Sequence, residues 1–152
     1  MTLIELMTTQ ADEIIKDAIL GVERSQLPGY RSSGPDQARQ RVKALFVLTA
    51  RAIKERNLGP MLAHTETIGR ERFAAGLDLA EMQIAFNVLE EVLWHRILTW
   101  VPPVYCGEAL GMVGTVLGAG KDMLGRTYAT LASKSKVPTL HLDQLFDGSE
   151  TL

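Results

Sequence analysis

The 152-residue chain has one cysteine, Cys106, so no disulfide can form within it and a multi-cysteine zinc site is excluded. Aromatic residues are scarce at 6%, and the formal net charge of -2 gives no global attraction to nucleic acid or to an anionic membrane. No apolar run approaches the roughly 20 residues that span a bilayer; the most apolar window, ALGMVGTVLGAG at 109–120, is much shorter. The N-terminal stretch MTLIELMTTQADEII lacks the basic start, apolar run and small-residue cleavage site of a secretory signal. The cytosol is therefore the expected compartment, and neither a membrane nor nucleic acid is an expected partner.

What remains suits an ordinary globular domain. Hydrophobic residues make up 46% and charged residues 22%, which excludes a largely disordered chain. Period-two alternation is absent, whereas apolar residues recur at three- and four-residue spacing almost throughout. The reading is all-α: a single-domain helical bundle of about five helices over residues 1–135, followed by a tail or linker at 136–152.

The first expected helix carries Ile4, Met7, Ala11, Ile14, Ala18 and Val22 as one stripe and ends near Ser25. QLPGYRSSGP is then a loop by turn chemistry. A second helix starts at Pro35, with Asp36 near its positive end and Val42, Leu45, Thr49, Ala52 and Ile53 inward. A third runs over about 61–75, with Leu62, Ile68 and Phe73 as its larger apolar residues. Gly76 is placed to close it in the left-handed conformation, and Asp78 to cap the fourth, with Glu81 completing a capping box and Leu77 and Met82 a hydrophobic staple. The fourth helix reaches about Val101, where Pro102 and Pro103 stop it. A fifth extends to about Lys134.

Leu79, Met82, Phe86, Leu89, Leu93, Ile97 and Trp100 form one broad stripe of the fourth helix, and Ile84, Val88 and Val92 form a second, nearly opposite. A helix apolar on two faces is central or lies at an interface. Between the stripes runs a polar strip of Gln83, Asn87, Glu90 and Glu91, with Trp94 among them and His95 beside the second stripe. Glu91 and His95, four apart, are within mutual reach as an acid–base pair or two metal ligands. Nothing completes either set, because the carboxylate-bridged bundle pattern needs Glu-x-x-His repeated on a second helix. A solvated or interfacial strip is the better account, and no catalytic residue, metal or cofactor is expected.

GTVLGAGK at 114–121 fails as a phosphate loop, since Gly114 is one residue too far from Gly120 and Asp122 replaces the metal-binding hydroxyl. Six glycines in the fifth helix cost roughly 1 kcal/mol each against alanine. Close approach of another helix along Gly107, Gly111, Gly114 and Gly118 is the expected compensation. The basic residues of the second helix, Arg39, Arg41, Lys43, Arg51, Lys54 and Arg56, read as a solvated face. Cys106 reads as a small buried hydrophobe.

ERFAAGLDLAEMQIAFNVLEEVLWHRI, at 71–97, resembles the N-terminal domain of the RsbT co-antagonist RsbRD, through Arg72, Gly76, Asp78 and the long apolar helix that follows. The stronger part covers about 60–101 and extends loosely over about 1–135. The resemblance implies an all-helical, non-catalytic input or interaction domain in bacterial signalling, and supplies no catalytic residues. No STAS, kinase or DNA-binding module follows the helices, so output is expected through a separate partner, unless the chain is a piece of a longer protein.

The expected contact residues are Arg72, Glu90, Glu91, Trp94 and His95 for a ligand or partner. Ile84, Val88, Val92, Gly107, Gly111, Gly114 and Gly118 are the expected interface, with a protein partner or a second copy. A small-molecule or haem sensor is the alternative, with His95 or His64 as axial ligand.

Overall fold

The computed structural model describes residues 1–25 and 35–140, with side chains over 1–25 and 37–134. The described residues contain six helices and no strand: α1 Leu3–Thr9, α2 Ala11–Arg24, α3 Pro35–Glu55, α4 Gly59–Ala74, α5 Leu79–Trp100 and α6 Pro103–Leu140. The all-α expectation holds. The sixth helix arises because the first expected one breaks at Gln10, whose φ of -110° and ψ of 19° leave the helical region. Thr2 caps α1 in a capping box, accepting from Glu5 N–H at 3.1 Å while its own N–H donates to Glu5 Oε2 at 3.1 Å.

That break turns the N-terminal stripe. Leu3, Leu6 and Met7 are buried on α1, while Ile4, expected inside, is 44% exposed. Ile14, Ala18 and Val22 of α2 are buried as expected. All five residues assigned to the inner face of α3 are buried, joined by Ala38 and Phe46. Thr49 is accommodated there because its hydroxyl donates to Leu45 O at 2.7 Å.

On α4 the larger apolar residues are not the innermost ones. Leu62, Ile68 and Phe73 are only half-buried; Met61, Thr65 and Gly69 are the buried residues, at i, i+4 and i+8. They face α6, the neighbour against which α4 packs most extensively. A Cβ at Gly69 would stand 3.1 Å from Thr127 Cγ2 and 3.3 Å from Leu124 Cδ1, so hydrogen at that position sets how close the two helices lie. Thr65 satisfies its hydroxyl on Met61 O at 2.7 Å, and Thr127 on Met123 O at 2.8 Å.

The α4–α5 turn follows the expected chemistry. Gly76 has φ +80°, Gly76 N–H donates to Phe73 O at 3.0 Å, and Leu77 N–H donates to Arg72 O at 3.0 Å, the two bonds of a Schellman closure. Asp78 caps α5, accepting from Ala80 N–H at 3.4 Å. The capping box is not formed: Asp78 reaches the second amide of the helix instead of the third, and Glu81 makes no return bond among the described residues.

α5 packs against α1, α2, α3 and α6. Met82, Phe86, Leu89, Leu93 and Ile97 are buried, along with Ala85, while Trp100 at the end of the stripe is half exposed. α6 runs antiparallel to it after the Pro102–Pro103 turn and continues as helix to Leu140, beyond the expected end near Lys134. The core draws on all six helices. The expected loop at 26–34 and the tail beyond Leu140 lie outside the described residues.

Candidate interaction face

The expected polar strip of α5 divides into two chemically different sets. Glu90 turns towards α6: its carboxylate lies 3.8 Å from Lys121 Nζ, and Lys121 also donates to Asn87 Oδ1 at 2.9 Å. Lys121 and Glu90 are about one-quarter exposed while Asn87 is exposed, and Glu90 Oε1 would lie 3.7 Å from a Cβ at Gly114. Glu91 and His95, by contrast, are each about three-quarters exposed and 3.9 Å apart, a solvated pair of little energetic weight. Among the described residues no group of three or more His, Cys, Asp or Glu side chains is arranged to hold a metal.

Glu90 fixes the geometry of its neighbours. Gln83, Asn87, Glu90, Trp94 and Leu98 recur at three- and four-residue spacing and share one face of α5. Since Asn87 and Glu90 meet α6, this face borders α6 along its length, and Trp94 and Leu98 continue it towards the Pro102 turn. Trp94 is 45% exposed and Leu98 62%. Trp100, Val104 and Tyr105 add exposed apolar surface at that end of the hairpin. Trp94 and Leu98 are the two large apolar side chains exposed on the α6-bordering face itself, whereas Tyr105 lines a cleft with Leu3 and Ile4 of α1.

The adjoining face of α6 carries the four expected glycines. A Cβ at Gly107, Gly111 or Gly118 would meet nothing within 4 Å, and one at Gly114 only Glu90. Among the described residues, no other helix comes this close at Gly107, Gly111 or Gly118. The close approaches occur at different glycines: a Cβ at Gly120 would stand 2.6 Å from Phe86 Cε1, and one at Gly21 2.5 Å from Val88 Cγ1. Val88 thus packs on α2 within the chain, and Ile84 and Val92 are likewise half-buried against the core.

Arg72 lies in the last turn of α4, half-buried, with its Nε enclosed and without a hydrogen-bond partner among the described residues. Beside it Tyr128 donates its hydroxyl to Leu77 O at 2.8 Å and meets Phe73 edge-on, ring centroids 5.5 Å apart. Burial pushes the Tyr128 phenol above its ordinary range, Asp78 and Glu81 push it further, and Arg72 opposes them. Arg72 therefore belongs to a polar knot around the Gly76 turn, at a distance along α5 from Trp94.

His64 borders an apolar cavity of about 40 Å³ beside Thr65, Ile68 and Phe86, room for a water or so and not for a tetrapyrrole. His95 is 78% exposed. Neither histidine lines the larger clefts on α6, of about 430, 450 and 600 Å³. Cys106 is half-buried at the start of α6, with Sγ 3.3 Å from Val101 O.

Sequence reasoning missed Arg96. From α5 its guanidinium spans to α2, Nη1 donating to Gln10 at 2.7 Å and Glu13 at 3.0 Å, Nη2 to Asp17 at 2.7 Å. The available signal was the row Gln10, Glu13, Asp17, spaced three and four apart on one side of a helix.

Among known families, that of the RsbT co-antagonist protein rsbRD N-terminal domain matches residues 12–127, from the first turn of α2 to Thr127 of α6. Comparisons with curated proteins and with solved structures found no match.

Proposed function

The chain belongs to the family of the RsbT co-antagonist protein rsbRD N-terminal domain, and from that premise we propose that it is a non-enzymatic module of bacterial signalling that acts by protein contact, pairing with a second copy of itself. The family makes it a signalling-related helical domain; the pairing surface is our reading. It is the outward face of the α5–α6 hairpin. The observation that carries it is the juxtaposition of exposed Trp94 and Leu98 with an α6 stripe in which, among the described residues, a Cβ at Gly107, Gly111 or Gly118 would meet nothing within 4 Å and one at Gly114 only Glu90.

Large apolar side chains beside a smooth, side-chain-free strip are complementary shapes: bulky groups of one copy seat against the glycines of the other. A tryptophan at the centre of such a patch is a frequent energetic anchor of protein interfaces. The glycines, unfavourable in an isolated helix, gain their compensation in that contact. No helix among the described residues is long and apolar enough to cross a membrane, which supports assembly in aqueous surroundings, the cytosol in this reading.

Light scattering coupled to size exclusion tests the proposal. The unaltered chain is expected to elute with the mass of two copies, and Leu98→Glu with the mass of one while retaining its helical circular dichroism. A monomeric parent chain at about 0.1 mM, well above the micromolar Kd of a weak but specific contact, removes the self-association reading.

A further inference from the structure

A cleft of about 430 Å³ opens between the C-terminal end of α3, the α3–α4 turn and the first half of α6. Its volume lies within the range of small-molecule sites. Ile53 and Leu58 contribute apolar surface from one side, Met112 and Val116 from the other. Gly111 lines it without a side chain, and a Cβ there would meet nothing within 4 Å, so the cleft keeps an open bay.

Two charges border this apolar floor, Arg56 from the end of α3 and Glu108 from α6. Among the described residues neither side chain makes a hydrogen bond or an ion pair, and they do not pair with each other. Arg56 also closes α3 in the left-handed conformation, φ 51°, with Asn57 N–H donating to Ala52 O at 3.1 Å. A residue with a Cβ is strained there, and glycine or asparagine is the unstrained choice. The fold thus holds a guanidinium at the lip of the cleft in a backbone position that disfavours it.

We infer that this cleft binds a small amphipathic zwitterion of the α-amino-acid class. The ligand carboxylate meets Arg56, its ammonium meets Glu108, and its apolar side chain lies over Ile53, Met112 and Val116. A simple anion leaves Glu108 facing like charge, and a simple cation does the same to Arg56; only a ligand with both signs complements both lips. The site goes beyond the self-association reading but shares Gly111 with its glycine stripe, so occupancy is read on local signals both in the parent chain and in Leu98→Glu, which keeps the two readings distinguishable.

The test is an amide NMR titration of the full chain with L-phenylalanine, and with L-leucine as a smaller probe. Saturable shifts are expected at the amides of Arg56, Asn57, Gly111 and Thr115. Phenylacetate and phenethylamine, each carrying one of the two charges, are expected to bind about tenfold more weakly. Arg56→Gly is expected to raise Tm by about 2–4 °C through relief of strain, while weakening L-phenylalanine about tenfold. Glu108→Gln weakens it similarly. No saturable shift at those amides with either amino acid up to about 10 mM overturns the inference. So does equal binding of a single-charge analogue, or an unchanged affinity in Arg56→Gly.

Discussion

The Arg96 guanidinium reaches Asp17 at 2.7 Å across the α2–α5 interface, and the same group holds Gln10, the residue at which α1 breaks from α2. One cation on α5 thereby sets both the seating of α2 and the direction in which α1 departs. Arg96 is 20% exposed, whereas Glu13 and Asp17 are 70% and 46% exposed, so solvent screens the carboxylates more than their partner. Arg96→Leu is expected to lower unfolding free energy by about 1–2 kcal/mol in urea titrations. Arg96→Lys recovers only part of it, because an ammonium lacks the fork that serves three acceptors. Wild-type stability from Arg96→Leu sinks this account.

Close approach distinguishes glycines that look alike in sequence. Gly120→Ala forces a methyl to 2.6 Å from the buried Phe86 ring, which must shift to admit it, and is expected to destabilise by about 1–3 kcal/mol. Gly118→Ala, two residues earlier, meets nothing and raises helix propensity, with an expected gain approaching 1 kcal/mol under monomeric conditions. Thermal melts of the two variants should therefore move in opposite directions. The same Gly118→Ala change is expected to weaken self-association, a second sign reversal visible in sedimentation.

These contrasts show what was legible in the sequence. The turn at Gly76 and Asp78 was read correctly because a left-handed closure and an N-cap are local demands, met within a few residues. The glycine spacing of α6 gave a face but not whether that face is covered within the chain, and the close contact with Phe86 falls at Gly120, outside the spaced set Gly107, Gly111, Gly114 and Gly118. On α4, side-chain size was misleading: Thr65 and Gly69 are buried because α6 comes close, a fact about a helix some sixty residues away. Arg96 and its acceptors, 79 to 86 residues apart, are joined only by tertiary packing. Of the expected contact residues, Glu90 proved to be held by Lys121 while Trp94 faces outward, a division that periodicity on one helix cannot resolve.

The Gly76 turn gives a prediction with no packing term. A Cβ there meets nothing within 4 Å, so Gly76→Ala tests backbone conformation alone, at φ +80°. A loss of about 1 kcal/mol is expected, and a similar one for Asp78→Ala, which removes the α5 cap. Equal stability of Gly76→Ala and the parent in guanidinium titrations contradicts the assigned Schellman closure.

Tyr128 ties α6 to the same turn and adds a pH signature. Burial raises its phenol in the folded chain above the ordinary value near 10. As pH rises past that value the unfolded chain ionises first, so the stabilisation is complete below about pH 10 and is lost as pH climbs through the folded value. Tyr128→Phe is expected to lose about 1 kcal/mol at neutral pH with the Leu77 hydrogen bond. Stability measured from pH 9 upward should then fall less steeply in the variant than in the parent chain.

The two halves of the α5 polar strip make the last prediction. Lys121 binds Asn87 at 2.9 Å and approaches Glu90 at 3.8 Å, with Lys121 and Glu90 30% and 23% exposed, so its loss strands a carboxylate between two helices. Lys121→Ala is expected to cost about 1 kcal/mol, less at high salt than at low. Glu91→Ala and His95→Ala remove a pair that water already screens, and each is expected within about 0.5 kcal/mol of the parent. A large loss from either would mean that the pair is covered in solution by something the isolated chain lacks. In a second copy seated on Trp94, that covering would vanish together with the dimer in Leu98→Glu, so comparing His95→Ala in the two backgrounds separates contact with a partner copy from a role within the fold.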